Sequence, residues 1–460
     1  MTTFGGNAMK ILVLGAGKVG TTIIEALSQE NHEIKVIDKK QDVLDSLANR
    51  LDVLCLQGDG IQYSTLADAG AEETDVLIAV TSRDETNMLS CIIGKKAGVK
   101  HTIARVRNPD FFSQMLYMKQ DLGMEMIINP ELAAADEIAR VIRIPSALKV
   151  ETFSRGRVEL IEMKLKEGNP LNHSQLSTLY SAFGVKVLIC TVERNGNIMI
   201  PDGSFVLEQG DRITITASRE ELAEFLRLLG LSRSKMKNVL IIGGGRISVY
   251  LARQLEFMRC QTTIVEMNEE RCLELSDLLP HATIIHGDGT DPEVLHEAGF
   301  NCCDAAVLLS SMDEENFVLA MYAETFDTPK IICKINRDSY ASILQKALPE
   351  ATIISPKNIT AEEIIQQIRA RQNASGSHVE TLYKLVSGKA EALEFTIRKA
   401  SGHLNIPLQD LPLKSGILIA CILRNGRPLI PNGQSWLQLN DHVIVVTTNS
   451  NYDDLEDCFD

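Results

Sequence analysis

The chain has 460 residues, 45% of them hydrophobic and 23% charged, and a formal net charge of −15. This is the balance of a globular protein with several domains. The acidity excludes nucleic acid and unaided docking on anionic lipid as expected partners, because both need a basic face. No apolar run approaches the roughly 18 residues of a spanning helix, so no direct membrane insertion is expected. Ten cysteines without CxxC or Cys/His ligand spacing predict buried, reduced thiols and no metal site.

Strands and helices are predicted to alternate over residues 9–145, the first expected domain. Apolar runs predict buried parallel strands at residues 11–14, 34–37, 53–56, 76–80 and 102–106. Helices are expected between them, for example over residues 19–29 and 85–97, and a helix over residues 130–144 that starts at Pro130 is expected to close the domain. This alternation predicts an α/β fold with a Rossmann-like, doubly wound parallel sheet.

A glycine-rich loop follows the first predicted strand and opens the first predicted helix. Its sequence, Gly15-Ala-Gly-Lys-Val-Gly20, has the G-x-G-x-x-G spacing of a dinucleotide-binding turn. Gly15 permits the tight turn, Gly17 lets backbone N–H groups approach a pyrophosphate, and Gly20 allows close helix–strand packing. Asp38 ends the next strand, where a carboxylate accepts hydrogen bonds from a ribose 2′-hydroxyl. Because this charge would repel a 2′-phosphate, the loop predicts NAD(H) in preference to NADP(H).

Residues 146–230 are expected to form a small β-rich α+β domain. The pair Asn195-Gly196 lies between the apolar runs 187–193 and 198–200, which is a strong signal for a two-residue hairpin. Residues 213–216 alternate in the manner of a further strand. A domain of about 80 residues is too small for an elaborate catalytic site.

The second half of the chain repeats these landmarks in the same order, after a polar link at residues 231–236. The matching segments, offset by 228 to 230 positions, are 15–20 with 243–248, 57–60 with 286–289, 84–87 with 313–316, and 194–203 with 424–433. The sequence therefore predicts a tandem duplication. A second Rossmann-like domain is expected at residues 236–372, with a tail helix over residues 356–371, and a second small domain at residues 378–455.

The second glycine loop departs from the first at its last position. Its sequence, Gly243-Gly-Gly-Arg-Ile-Ser248, has Ser where the pattern asks for Gly, although Ser is little larger than the Ala that this position tolerates. Glu266 holds the acidic position at the end of the second strand. Two interpretations stay open: the second copy binds nucleotide as the first does, or it keeps only the fold.

The whole chain resembles the TrkA family, the NAD-binding regulatory subunits of Trk-type potassium uptake systems, which are built from two RCK (or KTN) units. The resemblance covers roughly residues 9 to 455 and rests on the first glycine loop, Asp38, segments 79–82 and 84–87, and Ile103-Ala-Arg105. It implies a nucleotide sensor that gates potassium transport by conformational change and is not an enzyme. It also implies a homo-oligomer, a tetrameric ring of chains, which is cytoplasmic and held on the inner face of the membrane by an integral-membrane potassium-transporting subunit.

The resemblance also implies which residues contact the nucleotide. In the first unit these are Gly15, Ala16, Gly17, Lys18, Val19, Asp38, Thr81, Ser82 and Arg105. In the second unit they are Gly243, Gly244, Gly245, Arg246, Ile247, Glu266 and Ser310. Asp59 and Asp288, from the repeated Gly-Asp-Gly segments, complete the candidate set, and no catalytic residue is predicted. Lys334 replaces Arg105 at the corresponding strand, which keeps the charge but loses the bidentate fork.

The main alternative function is an NAD-dependent oxidoreductase. Such an enzyme needs a substrate domain with an acid or base near the nicotinamide, whereas here each Rossmann-like unit is followed only by a small β domain. A third interpretation is an ancillary subunit of a different ion or solute transporter. The residues leave open whether NADH activates or inhibits, and whether ATP or ADP competes. The acidic run 313–315 is interpreted as capping a helix N-terminus in preference to holding a metal.

Overall fold

The computed structural model describes residues 8–30, 32–231, 236–372, 379–385, 390–448, 452 and 454–460. The predicted link at residues 231–236 lies mostly outside them. The chain divides into two compact units: one runs to Ala134 and includes Ser355–Ile368, and the other contains Ala135–Ile354 and Arg369–Asp460. We call them unit 1 and unit 2. No helix in the described ranges is long and apolar enough to cross a membrane.

The first Rossmann-like domain is a six-stranded parallel sheet with helices between its strands. Its strands are β1 (Lys10–Leu14), β2 (Glu33–Asp38), β3 (Leu54–Gln57), β4 (Val76–Ala79), β5 (His101–Arg105) and β6 (Met126–Ile128). Its helices are α1 (Lys18–Ser28), α2 (Gln41–Ala48), α3 (Tyr63–Asp68), α4 (Asp84–Lys96) and α5 (Pro109–Met118), and α6 (Pro130–Arg143) follows. The strand order β3-β2-β1-β4-β5-β6 reverses between β1 and β4. Ligands of such sheets bind at this reversal, outside the carboxyl ends of the strands.

The first small domain is a five-stranded antiparallel sheet. Its elements are β7 (Lys149–Phe153), β8 (Val158–Lys164), α7 (Leu179–Phe183), β9 (Leu188–Arg194), β10 (Asn197–Met199), β11 (Arg212–Ser218) and α8 (Arg219–Leu228). The sheet order is β10-β9-β11-β8-β7. Asn195 and Gly196 join β9 to β10 with φ of 54° and 80°, the positive values that a type I′ hairpin requires. The predicted hairpin is confirmed.

The second Rossmann-like domain repeats the architecture of the first. Its strands are β12 (Asn238–Ile242), β13 (Gln261–Glu266), β14 (Thr283–His286), β15 (Ala305–Leu308), β16 (Lys330–Lys334) and β17 (Thr352–Ile354). Its helices are α9 (Arg246–Phe257), α10 (Glu269–Leu278), α11 (Pro292–Glu297), α12 (Asp313–Glu324) and α13 (Asp338–Ala347), and α14 (Pro356–Gln372) follows. The strand order β14-β13-β12-β15-β16-β17 matches the first sheet strand for strand, so the predicted tandem α/β fold is confirmed.

The second small domain is likewise an antiparallel sheet. Its strands are β18 (Val379–Leu385), β19 (Ala390–Thr396), β20 (Ile417–Arg424), β21 (Arg427–Leu429) and β22 (His442–Thr447), in the order β18-β19-β22-β20-β21. One apolar core joins the faces of the two small domains within unit 2; it includes Phe153, Leu160, Ala392, Leu423 and Val446. The two copies of the small domain therefore bury their sheets against each other.

The long helix α14 packs on the Rossmann-like domain of the other repeat. Ala361, Ile364, Ile365 and Ile368 lie on one face of the helix, and they share an apolar core in unit 1 with Ile11, Ile24 and Ile78. The expectation that this helix closes the domain before it in the chain was therefore wrong. The helix forms where the sequence predicts it, but its apolar face packs on the core of the first Rossmann-like domain.

Helix α6 shows the matching arrangement in unit 2. From Ala135 onward it belongs to that unit, and the carboxyl group of Asp136 accepts a hydrogen bond from the Gln254 amide on α9. Burial raises the pKa of Asp136, as expected for a carboxyl group away from water with an uncharged donor. The expectation that residues 130–144 simply close the first domain was also wrong. Each tail helix contributes to the Rossmann-like domain of the opposite repeat.

Candidate nucleotide-binding sites

The first glycine loop lies at the carboxyl end of β1, where the strand order reverses. Gly15 has φ of +99°, and a Cβ atom there would lie 2.9 Å from the backbone nitrogen of Thr81. A Cβ atom at Gly20 would lie 1.9 Å from the carbonyl oxygen of Gly15. The backbone conformation requires glycine at Gly15, and the close approach of α1 to the loop requires it at Gly20.

Neither the backbone conformation nor close packing requires glycine at Gly17. Its φ and ψ of −73° and −173° are extended values that any residue adopts, and a Cβ atom there would meet nothing within 4 Å. Gly245 in the second loop is the same, with φ and ψ of −71° and −174° and open space around it. Both residues precede a helix whose first-turn N–H groups point outward. A glycine at this point leaves room for a phosphate to reach those groups.

Among the described residues, no side chain caps α1 or α9, and neither helix has an acidic residue in its first turn. The first turn of each helix therefore carries no acidic side chain of its own to neutralise the positive helix end. The loop residues predicted to contact nucleotide lie here: Gly15, Ala16, Gly17, Lys18 and Val19 in the first copy, and Gly243, Gly244, Gly245, Arg246 and Ile247 in the second. This is the geometry of an anion-binding helix start.

The acidic residue at the end of the second strand is tied to the glycine loop in both copies. One carboxylate oxygen of Asp38 accepts a hydrogen bond from the Ala16 N–H at 2.7 Å, and the other accepts one from the Lys40 N–H at 2.9 Å. Glu266 accepts from the Gly244 N–H at 2.7 Å and from the Asn268 N–H at 2.8 Å. The carboxylate is thereby fixed beside the loop, where a nucleotide's ribose would lie.

A buried asparagine organises the other side of the first site. Asn87 on α4 has no solvent exposure, and its carbonyl oxygen accepts hydrogen bonds from the Thr81 N–H at 2.8 Å and the Thr81 hydroxyl at 2.7 Å. Its amide donates to the carbonyl of Arg105 at 2.9 Å. Asn316 contacts the Ser310 N–H at 3.0 Å and the Lys334 carbonyl at 2.9 Å in the same way. The sequence prediction did not include either asparagine among the site residues, although the repeated segments 84–87 and 313–316 carried the signal.

The acidic residues that begin α4 and α12 anchor a neighbouring loop. Asp84 accepts hydrogen bonds from the N–H groups of Arg107 and Asn108 at 2.9 and 2.8 Å. Asp313 accepts from the N–H groups of Asn336 and Arg337 at 3.0 and 2.9 Å. Segment 313–315 lies in the first turn of α12, at the helix N-terminus where the sequence interpretation expected it, and the carboxylate of Asp313 also holds the loop after β16. No cluster of three or more potential metal ligands occurs among the described residues.

The two Gly-Asp-Gly turns pack against the first strand of each sheet. A Cβ atom at Gly60 would lie 2.2 Å from a methyl carbon of Leu14. Asp59 forms an ion pair with Lys39 at 2.9 Å, and the hydrogen bond from Lys39 lowers the pKa of Asp59. Asp288 accepts hydrogen bonds from the N–H and hydroxyl of Thr290 at 2.8 and 2.7 Å, and these lower its pKa. Both carboxylates are thus engaged with the chain itself.

The basic residues at the ends of β5 and β16 reach toward the neighbouring strand. Arg105 donates from Nη1 to the Thr81 carbonyl at 3.4 Å, and Ser82 follows Thr81 at the same edge of the sheet. Lys334 donates from Nζ to the Leu309 carbonyl at 3.1 Å, next to Ser310. The structure therefore brings these predicted residues to the same edge as the glycine loops.

The second site has two features of its own. Ser248, in the place of Gly20, is fully buried and its hydroxyl donates to the Gly243 carbonyl, so a hydrogen bond replaces the close contact that glycine makes in the first copy. The guanidinium of Arg271 on α10 donates to the Gly244 carbonyl at 2.9 Å. Sequence reasoning missed Arg271, because the matching helix α2 has no basic residue to mark the position.

Two Rossmann-type sheets with glycine loops, each followed by a small antiparallel domain, define a tandem nucleotide-binding protein. The family model described as the TrkA-N domain matches residues 11–130 and 239–356, and the TrkA-C domain matches residues 160–230 and 392–460. The chain belongs to the TrkA family, so the resemblance read from the sequence is confirmed.

Known proteins match almost the whole chain. The Trk system potassium uptake protein TrkA homolog of Archaeoglobus fulgidus is 32% identical over 98% of this chain and 100% of its own length. The Trk system potassium uptake protein TrkA of Halomonas elongata is 32% identical over 95% of each chain. The structure of the GsuK channel bound to NAD covers 97% of this chain and 78% of its own, with a TM-score of 0.63 and 18% identity. The channel shares the fold.

Proposed function

We propose that this chain is the nucleotide-sensing regulatory subunit of a Trk-type potassium uptake transporter. It binds NAD(H) at the glycine loops and gates potassium transport by a change of conformation. The observation that carries the proposal is the open space at Gly17 and Gly245, which neither the backbone nor the packing explains. Two further facts support it. The full-length relatives are named Trk system potassium uptake proteins, and the GsuK channel that shares this fold was solved bound to NAD.

The binding residues act mainly on the adenosine diphosphate half of the cofactor. The glycine loop and the start of α1 receive the pyrophosphate, and Asp38 receives the ribose hydroxyls. Because ATP and ADP contain the same adenosine diphosphate group, we expect them to compete with NAD(H) for the first site. The negative charge of Asp38 disfavours a 2′-phosphate, so NADP(H) binds more weakly.

The polar side chains beside the glycine loops favour regulation over hydride transfer, because they are hydrogen-bonded to the backbone. Asn87 and Asp84 hydrogen-bond to backbone groups of the first domain, and Asn316 and Asp313 do so in the second. Such contacts hold strand ends and loops in place. A general acid or base must instead be able to reach the proton that it transfers, whereas these groups are hydrogen-bonded to the backbone. We therefore propose that the protein is not an enzyme.

Binding free energy then has to drive the change of conformation. A ligand shifts an equilibrium only by its differential affinity for the two states, and a hundredfold preference is worth about 2.7 kcal/mol per site. In unit 1, α14 packs directly on the core of the first Rossmann-like domain. A shift in that domain would move a helix that precedes the second small domain in the chain, and α14 and α6 are our candidates to transmit the movement.

Exposed apolar side chains support assembly into a homo-oligomer. In unit 2, helix α12 and the loop after it expose Val318, Met321, Tyr322 and Phe326, and helix α13 exposes Ile343. In unit 1, helices α4 and α5 expose Leu89, Leu116 and Tyr117. Exposed apolar side chains grouped on neighbouring turns of a helix are suited to a protein interface. We propose a tetrameric ring of chains, located in the cytoplasm and held on the inner membrane face by an integral-membrane potassium-transporting subunit.

The test is potassium uptake in cells that lack the gene for this chain. We expect deletion to impair growth and rubidium or potassium uptake at low external potassium, and the wild-type gene to restore both. Normal uptake in the deletion strain at low potassium would refute the assigned role. Capture of the transporter by tagged protein from solubilised membranes distinguishes a potassium system from another ion or solute transporter.

A further inference from the structure

A cleft of about 350 Å³ lies within unit 2, away from the glycine loops. Its walls come from the end of β8, the linker between α6 and β7, the segment between α12 and β16, and the turn before β17. We call it the Lys330 cleft after the residue that begins β16. Lys334, at the other end of β16, belongs to the second candidate nucleotide site. A strand of this length separates the two sites by roughly 13 Å, and the volume is at the lower end for small-molecule sites.

Lys330 is a buried cation with few partners. It is only 3% exposed, and its Nζ donates a hydrogen bond to the Ala147 carbonyl at 2.6 Å. An ammonium group has three N–H donors, and among the described residues Lys330 makes this one hydrogen bond and no ion pair. Burial lowers the pKa of Lys330 to about 7. The nearby charge of Glu350 offsets the effect of burial only in part, and an incompletely compensated buried charge is costly, so the site favours a ligand that supplies negative charge.

Three lysines and three carboxylates line the cleft, and Lys330 is the buried one among them. Lys164 and Lys166, at the end of β8, line it together with Lys330. Glu350 is the carboxylate facing them from the turn before β17, and it is already paired with Lys166. Lys164 forms no ion pair in the part of the chain that the structure describes.

The remaining groups divide between the rim and the interior. Glu324 and Asp327, from the end of α12 and the loop after it, are exposed at the rim, where water and salt screen their charge. The hydroxyl of Ser146, on the α6–β7 linker, is buried without a hydrogen-bond partner. The cleft thus offers two lysines and a hydroxyl as donors for an anion.

The first repeat shows that the fold does not require this buried lysine. The residue that begins β5, 229 positions before Lys330, is His101. Its side chain is 36% exposed and pairs with Glu125 at 2.7 Å. The same position is therefore partly exposed and bonded to a carboxylate in one copy, and buried without a direct ion pair in the other.

We propose that the Lys330 cleft binds a small oxyanion, a metabolite that carries a carboxylate or phosphate group. Its oxygens accept hydrogen bonds from Lys330, Lys164 and Ser146. Lys164 belongs to the first small domain and Lys330 to the second Rossmann-like domain, so a bound anion joins these two domains. The binding itself does not depend on the proposed function. The effect of anion binding on the nucleotide site does rest on the proposed function. Because β16 ends at the second nucleotide site, occupancy of the cleft changes nucleotide affinity there.

The test is isothermal titration calorimetry of the full chain with sulfate and, separately, with succinate. Chloride holds the ionic strength constant, and saturating NADH keeps the anions from the glycine loops. We expect one saturable site for at least one anion. Lys330→Met keeps the length of the side chain and removes its charge, and should weaken binding by about tenfold or more. Lys164→Gln should weaken it less. Lys346→Met, at an exposed lysine on α13, is the matched control and should bind as the wild type does.

The pH dependence supplies a readout that a purely structural lysine would not give. Sulfate keeps its charge between about pH 6 and pH 8.5, and binding requires protonated Lys330. Sulfate affinity should therefore be highest below pH 7 and fall by up to about tenfold per unit above it. This decline should be absent in Lys330→Met.

The two anions and NADH distinguish the outcomes. Binding of sulfate alone assigns a phosphate-type ligand, and binding of succinate alone assigns a carboxylate. No saturable binding of either, or equal binding by Lys330→Met and wild type, would overturn the proposal. Anion binding in a chain that fails to bind NADH would refute the proposed function and leave this site standing.

Discussion

The side-chain amide of Asn87 donates a hydrogen bond to the backbone carbonyl of Arg105 at 2.9 Å, from a position with no solvent exposure. The same side chain accepts hydrogen bonds from Thr81. One residue on α4 thereby fixes the ends of β4 and β5 relative to each other. Asn316 does the same for β15 and β16. We infer that these asparagines position the nucleotide site without contacting the ligand.

Replacing Asn87 with Ala should weaken NADH binding at the first site by about tenfold and destabilise the protein by about 1–3 kcal/mol, because buried backbone groups lose their partners. Calorimetry with NADH and denaturant unfolding measure the two effects. Asn316→Ala is the matched variant: it should cost similar stability while leaving the first site intact. Loss of first-site affinity in both variants alike would show a general structural effect.

Gly17→Val should abolish NADH binding at the first site and leave the stability within about 1 kcal/mol of wild type. The backbone there is extended and the Cβ position is open, so the new side chain harms only an approaching phosphate. Gly15→Val is the contrasting variant, because its φ of +99° and its contact with Thr81 predict a loss of folding stability. In membranes, Gly17→Val should still bind the transporter but give no response to nucleotide. A normal nucleotide response would refute the mechanism.

The two sites should differ in affinity. The first has the complete glycine pattern and Arg105, whereas the second has Ser248 and Lys334. We expect Gly17→Val to remove the tighter phase of an NADH titration and Gly245→Val to remove the weaker phase or none. The opposite assignment of phases would identify the second copy as the primary sensor.

Asp38→Asn should reduce the discrimination between NADH and NADPH. The amide oxygen of Asn can still accept a hydrogen bond from the Ala16 N–H, although the one from the Lys40 N–H is lost. The charge that repels a 2′-phosphate is removed. Asp38→Ala should lose about 1–3 kcal/mol of NADH binding, the cost of losing hydrogen bonds to a charged acceptor. Equal affinity of the unmutated protein for both cofactors would contradict this role.

Gly20→Ser should be tolerated far better than Gly20→Val. A Cβ atom at Gly20 meets the Gly15 carbonyl in both variants, so α1 must shift in both. The hydroxyl of Ser can then donate to the loop carbonyl, as that of Ser248 does in the second copy, whereas Val only adds bulk. We expect Gly20→Val to cost about 1–3 kcal/mol or more, as overpacking does, and Gly20→Ser clearly less. Equal unfolding midpoints for the two variants would show that the helix moves away from the loop.

Local sequence determined much of this structure. The hairpin at Asn195-Gly196 forms because both residues adopt positive φ readily. Gly15 and Gly20 mark their turn because only glycine fits there. The duplicated landmarks predicted two matching sheets, and Pro130 and Pro356 marked the starts of α6 and α14, whose ends lie within one residue of the predicted bounds. In each case the cause lies within a few neighbouring residues, so the sequence carries the signal directly.

Tertiary structure alone decided which surfaces meet. The spacing of Ile364, Ile365 and Ile368 shows that one face of α14 is apolar, but it does not show which core covers that face. The structure places it on the first Rossmann-like domain, not on the one before it in the chain. The burial of Lys330, set against the exposure of His101 in the other copy, likewise depends on which domain packs at the strand's end. These outcomes follow from contacts between residues far apart in the chain. The sequence around each of those residues does not show which partner it meets.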